Sequence, residues 1–300
     1  MSFVEDALKF HAEHNGMLAV ASKVPLNNRE DLALAYTPGV AEPCKAIKEN
    51  KELSFEYTCR GNTVAIVSDG TRVLGLGDIG PEAAMPVMEG KAVLFKTFGD
   101  VDAIPICIDT KDPEEIIETV RRLQPSFAGI NLEDFSSPKC YEIEDRLREI
   151  CDIPVFHDDQ HGTAIACLSA VMGALRYVKK DIKDVKVVVN GCGAAGSAIG
   201  RLFVSMGFPN VIMVERVGAL YKGIDAKLDK IQRYLSEVTN PNMEKGTLAD
   251  VAKGADILVG VSGPNLFTKE IIAGMADKAI VFGLANPVPE TRRTLKIEQY

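Results

Sequence analysis

No run of apolar residues in this 300-residue chain is long enough to cross a bilayer. The longest, Ala164 to Leu175 (AIACLSAVMGAL), is broken by Ser169 and Gly173 and falls short of the ~20 residues a spanning helix requires. A cleavable leader is also lacking: the opening MSFVEDALKFHAEH carries acids before any base and no apolar stretch, so the expected location is the cytoplasm. Cys-x-x-Cys pairs are missing and the seven cysteines are odd in number and scattered. That pattern supports neither a zinc ribbon nor a disulfide framework and suits buried thiols in a reducing compartment. Positive charge is in deficit, with 34 Lys and Arg against 42 Asp and Glu for a net −8. Such a field repels phosphate backbones and anionic lipid, so neither nucleic acid nor a membrane is an expected partner. Internal repeats and low-complexity tracts are absent as well, which rules against a solenoid.

What is present is an ordinary globular composition, 46% apolar and 25% charged, over a length that suggests two domains. Short β-branched runs at 63–67, 103–108, 127–130, 153–156, 185–189, 211–214, 257–261 and 279–282 read as buried strands. Helix-like stretches near 81–98, 113–123, 138–150, 161–178, 194–206, 224–235 and 268–276 alternate with them, several opened by Pro or Thr. Strand–helix–strand alternation throughout predicts an α/β protein with parallel sheets. The boundary is placed near residue 160, giving an N-terminal α/β domain over 1–160 and a Rossmann-like, doubly wound domain over 161–300.

The second domain carries the clearer motif. The strand VKVVVN runs directly into GCGAAG, so Gly191, Gly193 and Gly196 have Gly-x-Gly-x-x-Gly spacing at a strand-to-helix junction. The first glycine permits the turn, the second lets a pyrophosphate approach the backbone, and the third lets helix pack on strand. The amides of this loop, including Ala194 and Ala195, lie at a helix amino end where the dipole favours phosphate. Nineteen residues after Gly196 the next strand ends at Glu215, placed to bind the adenosine ribose hydroxyls, which favours NAD. Arg216 follows at once and suits a 2′-phosphate, so NADP stays open. The strand-terminal loops DILVGVSGPN and AIVFGLANPVP bring Ser262 and Asn286 to the edge where the cofactor cleft is expected.

In the first half, Glu133 and Asp134 follow one strand and Asp158 and Asp159 another. Two acidic pairs just past strand ends can supply hard oxygen ligands to Mg²⁺ or Mn²⁺. Acids in such places also cap the next helix, and Asp158 or Asp159 suits that role before a helix near Gly162. His157 and His161 are four apart but straddle a strand end and a helix start, so packing or supporting roles suit them, and likewise His11 and His14. Lys91 sits in the apolar stretch MPVMEGKAVLF, which suits either a desolvated general base or a lysine snorkelling from a helix. Tyr36 precedes a Thr-Pro-Gly turn that suits a phenolic acid and ordinary packing alike.

Seven ordered segments, YTPGVA from Tyr36, VSDGTRVLGLGDIGP from Val67, PVMEGKAVLF from Pro86, GINLEDF from Gly129, PVFHDDQHGTA from Pro154, NGCGAAG from Asn190 and LANPVP from Leu284, are similar to the short, prokaryotic-type malic enzymes. The resemblance covers residues 1 to about 290 and implies oxidation and decarboxylation of malate to pyruvate and CO₂, in a homodimer. It implies that Lys91 is the base for the hydroxyl proton, Tyr36 the acid that protonates the enolate, and Asp158 the carboxylate beside the lysine. Glu133, Asp134 and Asp159 match metal ligands, and Arg72 and Asn286 match substrate-binding positions. The family continues for several tens of residues past Glu290, with a GRSDxPNQxNN segment, where this sequence reads TRRTLKIEQY. Two other readings are kept: a malate-to-lactate converter, told apart by assaying lactate, and a weakly active dinucleotide-binding subunit, told apart by NAD binding without turnover.

Overall fold

The computed structural model describes residues 3–286 and 288–291. The TRRTLKIEQY ending, apart from Thr291, lies outside the described residues, as does Pro287 of the LANPVP segment. Two compact units divide the chain: one comprises residues up to 73, 78–135 and 143–156, the other residues 74–77, 136–142 and those from His157 onward.

The first unit is built on β1 (Thr63–Ser68), β2 (Asp102–Cys107), β3 (Gly129–Leu132) and β4 (Val155–His157), in the order β2-β1-β3-β4. β1 pairs in parallel with β2 along its six residues and with β3 along Val64–Val67, and five of the six are buried. The 19-residue helix Pro81–Gly99 starts with Pro at its first turn, where a missing N–H costs nothing, and packs Ala84, Met88 and Ala92 onto Ile66 and Ala103. The i, i+4 spacing of those three residues makes one apolar stripe.

The second unit holds β5 (Lys186–Asn190), β6 (Asn210–Glu215), β7 (Gly218–Ala219), β8 (Ile257–Gly260) and β9 (Ile280–Gly283), in the order β7-β6-β5-β8-β9. All neighbours are parallel except β7, which folds back on β6. The chain steps from β5 to β6 on one side and to β8 and β9 on the other, so strand order reverses beside β5. A crevice opens past the carboxyl ends at such a point. Helices Asp158–Val178 and Ala194–Ser205 cover the sheet through Ala164, Cys167, Val171, Ala198, Ile199 and Phe203.

All eight expected strands form, with ends displaced by one or two residues. The two-residue β7 was not expected, because Gly-Ala has no β pattern of its own and pairs only through the turn after β6. The helix expected at 224–235 runs instead over Lys230–Val238, where Asp229 and Gln232 form a reciprocal capping box that fixes its start. Helices Arg29–Ala35 and Ala41–Glu49 were also missed. They bury no residue and so show no core-facing stripe. The helix expected from 161 begins at Asp158, with His157 as its cap residue and no side-chain cap bond. Asp158 and Asp159 therefore lie inside the first helical turn, and the alternative reading in which one of them caps the helix is not what the structure shows. None of the described helices is long and apolar enough to cross a membrane.

Candidate active site

The glycine loop follows β5. Gly191 has φ +114°, a backbone region that side chains rarely adopt, and its N–H donates to Val214 O at 2.8 Å, tying the turn to β6. Gly193 is the cap residue of helix Ala194–Ser205, which has no side-chain cap bond. A Cβ built on Gly193 meets nothing within 4 Å, so the space over the first-turn amides is open. A Cβ on Gly196 would stand 1.8 Å from Gly191 O, so the helix approaches its own loop as closely as backbone allows. Cys192 between them is a buried thiol whose pKa desolvation pushes up, which favours the protonated form.

A cleft of about 710 Å³ opens beside this loop, lined by Gly191, Glu215, Arg216, Tyr221, Lys245 and Ser262 among others. Glu215 ends β6 and accepts from Cys192 N at 3.3 Å and Arg216 N at 3.1 Å, which points its carboxylate at the glycine turn. Lys245 lies 4.6 Å over the Tyr221 ring. Asn190 also lines the cleft, and among the described residues its buried Nδ2 has no hydrogen-bond partner. An open helix amino end, a carboxylate at the end of the second strand and an orphaned amide donor are a donor and acceptor set that fits a dinucleotide.

On the other side of β5, Ser262 and Asn286 follow β8 and β9 and both are exposed. Their loops are joined by a residue the sequence reading did not single out. Glu290 is fully buried, its Oε1 accepts from Ser262 N at 2.9 Å and its Oε2 from Ala285 N at 3.0 Å. Its backbone O accepts from Phe267 N at 3.0 Å. The only local sign was an acid closing the apolar and proline-rich NPVPE. Glu290→Gln is expected to lower stability by about 1–3 kcal/mol, because its amide nitrogen must face one of the two backbone donors and leave it unsatisfied. Urea unfolding should show a lower midpoint with an unchanged slope.

In the first unit, Glu133 and Asp134 stand just past β3 and are each 5% exposed. Lys91, reaching from helix Pro81–Gly99, places Nζ 2.9 Å from Glu133 Oε1 with its side chain 21% exposed. It points inward to a buried acid and is not a snorkelling surface lysine. Asn131 Nδ2 donates to Glu133 Oε2 at 2.9 Å. Asp134 has φ +58°, in the left-handed region that aspartate tolerates better than most side chains, and its O accepts from the Arg72 N–H at 3.0 Å. Arg72 has an exposed side chain. Tyr36, at the end of helix Arg29–Ala35, is 68% exposed, so it does not serve ordinary core packing.

β4 neighbours β3 and runs straight into Asp158 and Asp159. Glu133 and Asp134 offer two carboxylates just past β3, and Asp159 offers a third in the first turn of the helix that opens the second unit's main segment. Three hard, anionic oxygen donors fit Mg²⁺ or Mn²⁺ and do not fit a soft metal. Asp158 lies along its helix over Gly162, where a Cβ would stand 2.0 Å from its Oδ1. His157 is buried at the end of β4, whereas His14 is exposed and bonds to Phe10 O.

Residues 15–148 match the family description "Malic enzyme, N-terminal domain" and residues 160–296 "Malic enzyme, NAD binding domain". An NAD-dependent malic enzyme of Geobacillus stearothermophilus is 53% identical over 275 residues, which are 92% of this chain and 57% of that protein. The chain thus spans little more than half of that relative's length. A bifunctional malic/malolactic enzyme of Bacillus subtilis is 49% identical over 97% of this chain and 71% of its own. An NADP-dependent malic enzyme of Escherichia coli is 46% identical over 95% of this chain and 38% of its own. The crystal structure of an NAD-dependent malic enzyme from Thermotoga maritima superposes with a TM-score of 0.92 at 48% identity, covering 95% of this chain and 76% of that one. Agreement of fold and sequence over nearly the whole chain, through both units, places this protein in the malic enzyme family.

Proposed function

We propose that this chain oxidises and decarboxylates L-malate to pyruvate and CO₂ with reduction of NAD, in the presence of Mg²⁺ or Mn²⁺ held by Glu133, Asp134 and Asp159. The observation that carries the reading is the inward-facing Lys91, 2.9 Å from Glu133, a buried acid followed in sequence by the equally buried Asp134. A base joined to a hard-cation site is what removal of a proton from a 2-hydroxy acid requires. When bound, the cation supplies Lewis acidity toward the hydroxyl and carboxylate oxygens, and NAD accepts the hydride.

The chain's own residues do the rest. Lys91 takes the C2 hydroxyl proton, with Asp158 the carboxylate the family resemblance sets beside it. Arg72 and Asn286 orient the substrate. Once the C3–C4 bond breaks and CO₂ leaves, the Tyr36 phenol gives its proton to C3. Gly191, Gly193, Ala194, Ala195 and Gly196 receive the pyrophosphate, and Ser262 and Asn286 border the nicotinamide end. Glu215 binds the ribose hydroxyls and repels a 2′-phosphate, so NAD is preferred to NADP.

The assembly is a cytoplasmic homodimer. Helices Phe3–His14, Arg29–Ala35 and Ala41–Glu49 bury no residue, yet Phe3, Leu8 and Leu34 among them are at least 70% exposed, apolar surface that a second copy would cover.

The test is absorbance of reduced nicotinamide on mixing the chain with L-malate, Mn²⁺ and either nucleotide. Signal is expected with NAD in excess of NADP and its loss on adding chelator. NAD binding with no turnover at saturating Mn²⁺ would sink the activity and leave a binding subunit. Lactate in place of pyruvate would move the reading to the malolactic reaction that the Bacillus relative's name includes.

A further inference from the structure

Helices Ala194–Ser205 and Asp158–Val178 are joined by a file of polar side chains as well as by their apolar faces. Arg201 Nη2 donates to Gln160 Oε1 at 3.0 Å. Gln160 Nε2 stands 3.0 Å from His157 Nδ1. His157 Nε2 in turn lies 3.1 Å from Asp159 Oδ2. Gln160 is 1% exposed and His157 0%, so bulk water does not compete for either.

The direction of each step follows from the first. A guanidinium has donors only, so the Gln160 atom facing Arg201 is the carbonyl oxygen and the atom facing His157 is the NH₂. An amide NH₂ also only donates, so His157 Nδ1 must offer its lone pair. A neutral imidazole with an unprotonated Nδ1 carries its proton on Nε2, the nitrogen beside Asp159. Arg201 thereby sets the tautomer of a histidine it does not touch. The approach of Nε2 to Oδ2 is short but too oblique for a full hydrogen bond, so the N–H acts on the carboxylate as a dipole on a charge.

The geometry points to Arg201 and Gln160 as positioning residues that hold His157 as its Nε2–H tautomer and so orient the Asp159 carboxylate toward a divalent cation. The role rests on the proposed reading of Asp159 as a metal ligand. A group in direct contact with a metal ligand, as His157 is with Asp159, changes metal affinity by about 10- to 100-fold when lost, and Gln160 and Arg201 act one and two contacts further out, with a smaller expected effect. They also join the helix that opens on the glycine loop to the first turn of helix Asp158–Val178.

The test uses the full chain labelled with ¹⁵N-histidine and free of metal. Its four histidines give few enough ring signals for a long-range ¹H–¹⁵N correlation, with His157→Gln as the assignment control. His157 is expected to show a protonated Nε2 and an unprotonated Nδ1; the opposite tautomer or an imidazolium overturns the proposal. Mn²⁺ titration followed by electron paramagnetic resonance supplies the second arm. Gln160→Leu and Arg201→Leu are expected to weaken Mn²⁺ binding by at least about fivefold, and Arg201→Lys, which keeps a donor, by less than about twofold. Arg201 is only partly buried, so its variants remain available where the buried Gln160→Leu fails to fold. Mn²⁺ affinity indifferent to both leucine variants overturns the positioning role alone. A wild-type chain that binds no Mn²⁺ overturns the metal reading and this role together.

Discussion

Replacing Lys91 by alanine is expected to lower the rate of malate oxidation by about 10²- to 10⁴-fold, the usual range for loss of a positioned general base. NADH binding is expected to persist, because the glycine loop and the Glu215 cleft are built from residues 190–266 of the other unit. Alanine also strips the cation from Glu133, whose side chain is 7% exposed, and a buried carboxylate left without its partner destabilises the fold. A second substitution separates the two effects. Lys91→Arg keeps a positive charge against Glu133 but cannot release a proton near neutral pH. If Lys91 is the base, the arginine variant melts like the wild type and is nearly as inactive as the alanine variant. An arginine variant with more than about a tenth of wild-type turnover, set against that loss, would show that the charge matters and the proton transfer does not.

Gly196→Ala and Gly193→Ala should fail in different ways, and the difference tests the cofactor loop. At Gly196 the added methyl would lie 1.8 Å from the Gly191 carbonyl oxygen, an overlap no side-chain rotation relieves. The helix start must shift away from the loop, at a cost of about 1–3 kcal/mol or more. The same shift moves the first-turn amides off the phosphates. Loss of two charge-assisted hydrogen bonds corresponds to an NADH affinity at least about 100-fold weaker. At Gly193 a methyl meets nothing and the backbone, with φ −74°, accepts alanine without strain. That variant is expected to melt normally, yet it places a methyl in the space a pyrophosphate would enter. Calorimetric titration with NADH beside thermal unfolding reads both. Normal NADH affinity in Gly193→Ala would show that the ligand does not approach the loop there.

Much of the fold was legible because its causes are local. Buried parallel strands are short β-branched runs whatever they pair with, and Pro81 and Pro113 open helices because their fixed φ suits a first turn. The Gly191–Gly196 spacing was legible for the same reason, since a turn, an open approach and a close packing contact each need a missing side chain at one position. Helix starts were less legible. The start at Asp158 depends on β4 ending at His157, and the start at Lys230 depends on the capping box of Asp229 and Gln232.

The pairings that give the site its chemistry could not be read this way. Lys91 could equally have been a surface lysine, and only the packing of its helix on β1 turns it toward Glu133, 42 positions along the chain. Glu290 looked like the end of a proline-rich loop until the β8 and β9 turns were seen to donate to it. The file from Arg201 through Gln160 to His157 exists because two helices lie side by side on one sheet. By itself the sequence determined the element types, the glycine loop and the balance of charge, since periodicity, backbone freedom and composition act within a few residues. Tertiary structure alone decided which charges meet, because strand order is set by the burial of whole faces, and no short stretch of sequence encodes that β3 lies beside β4.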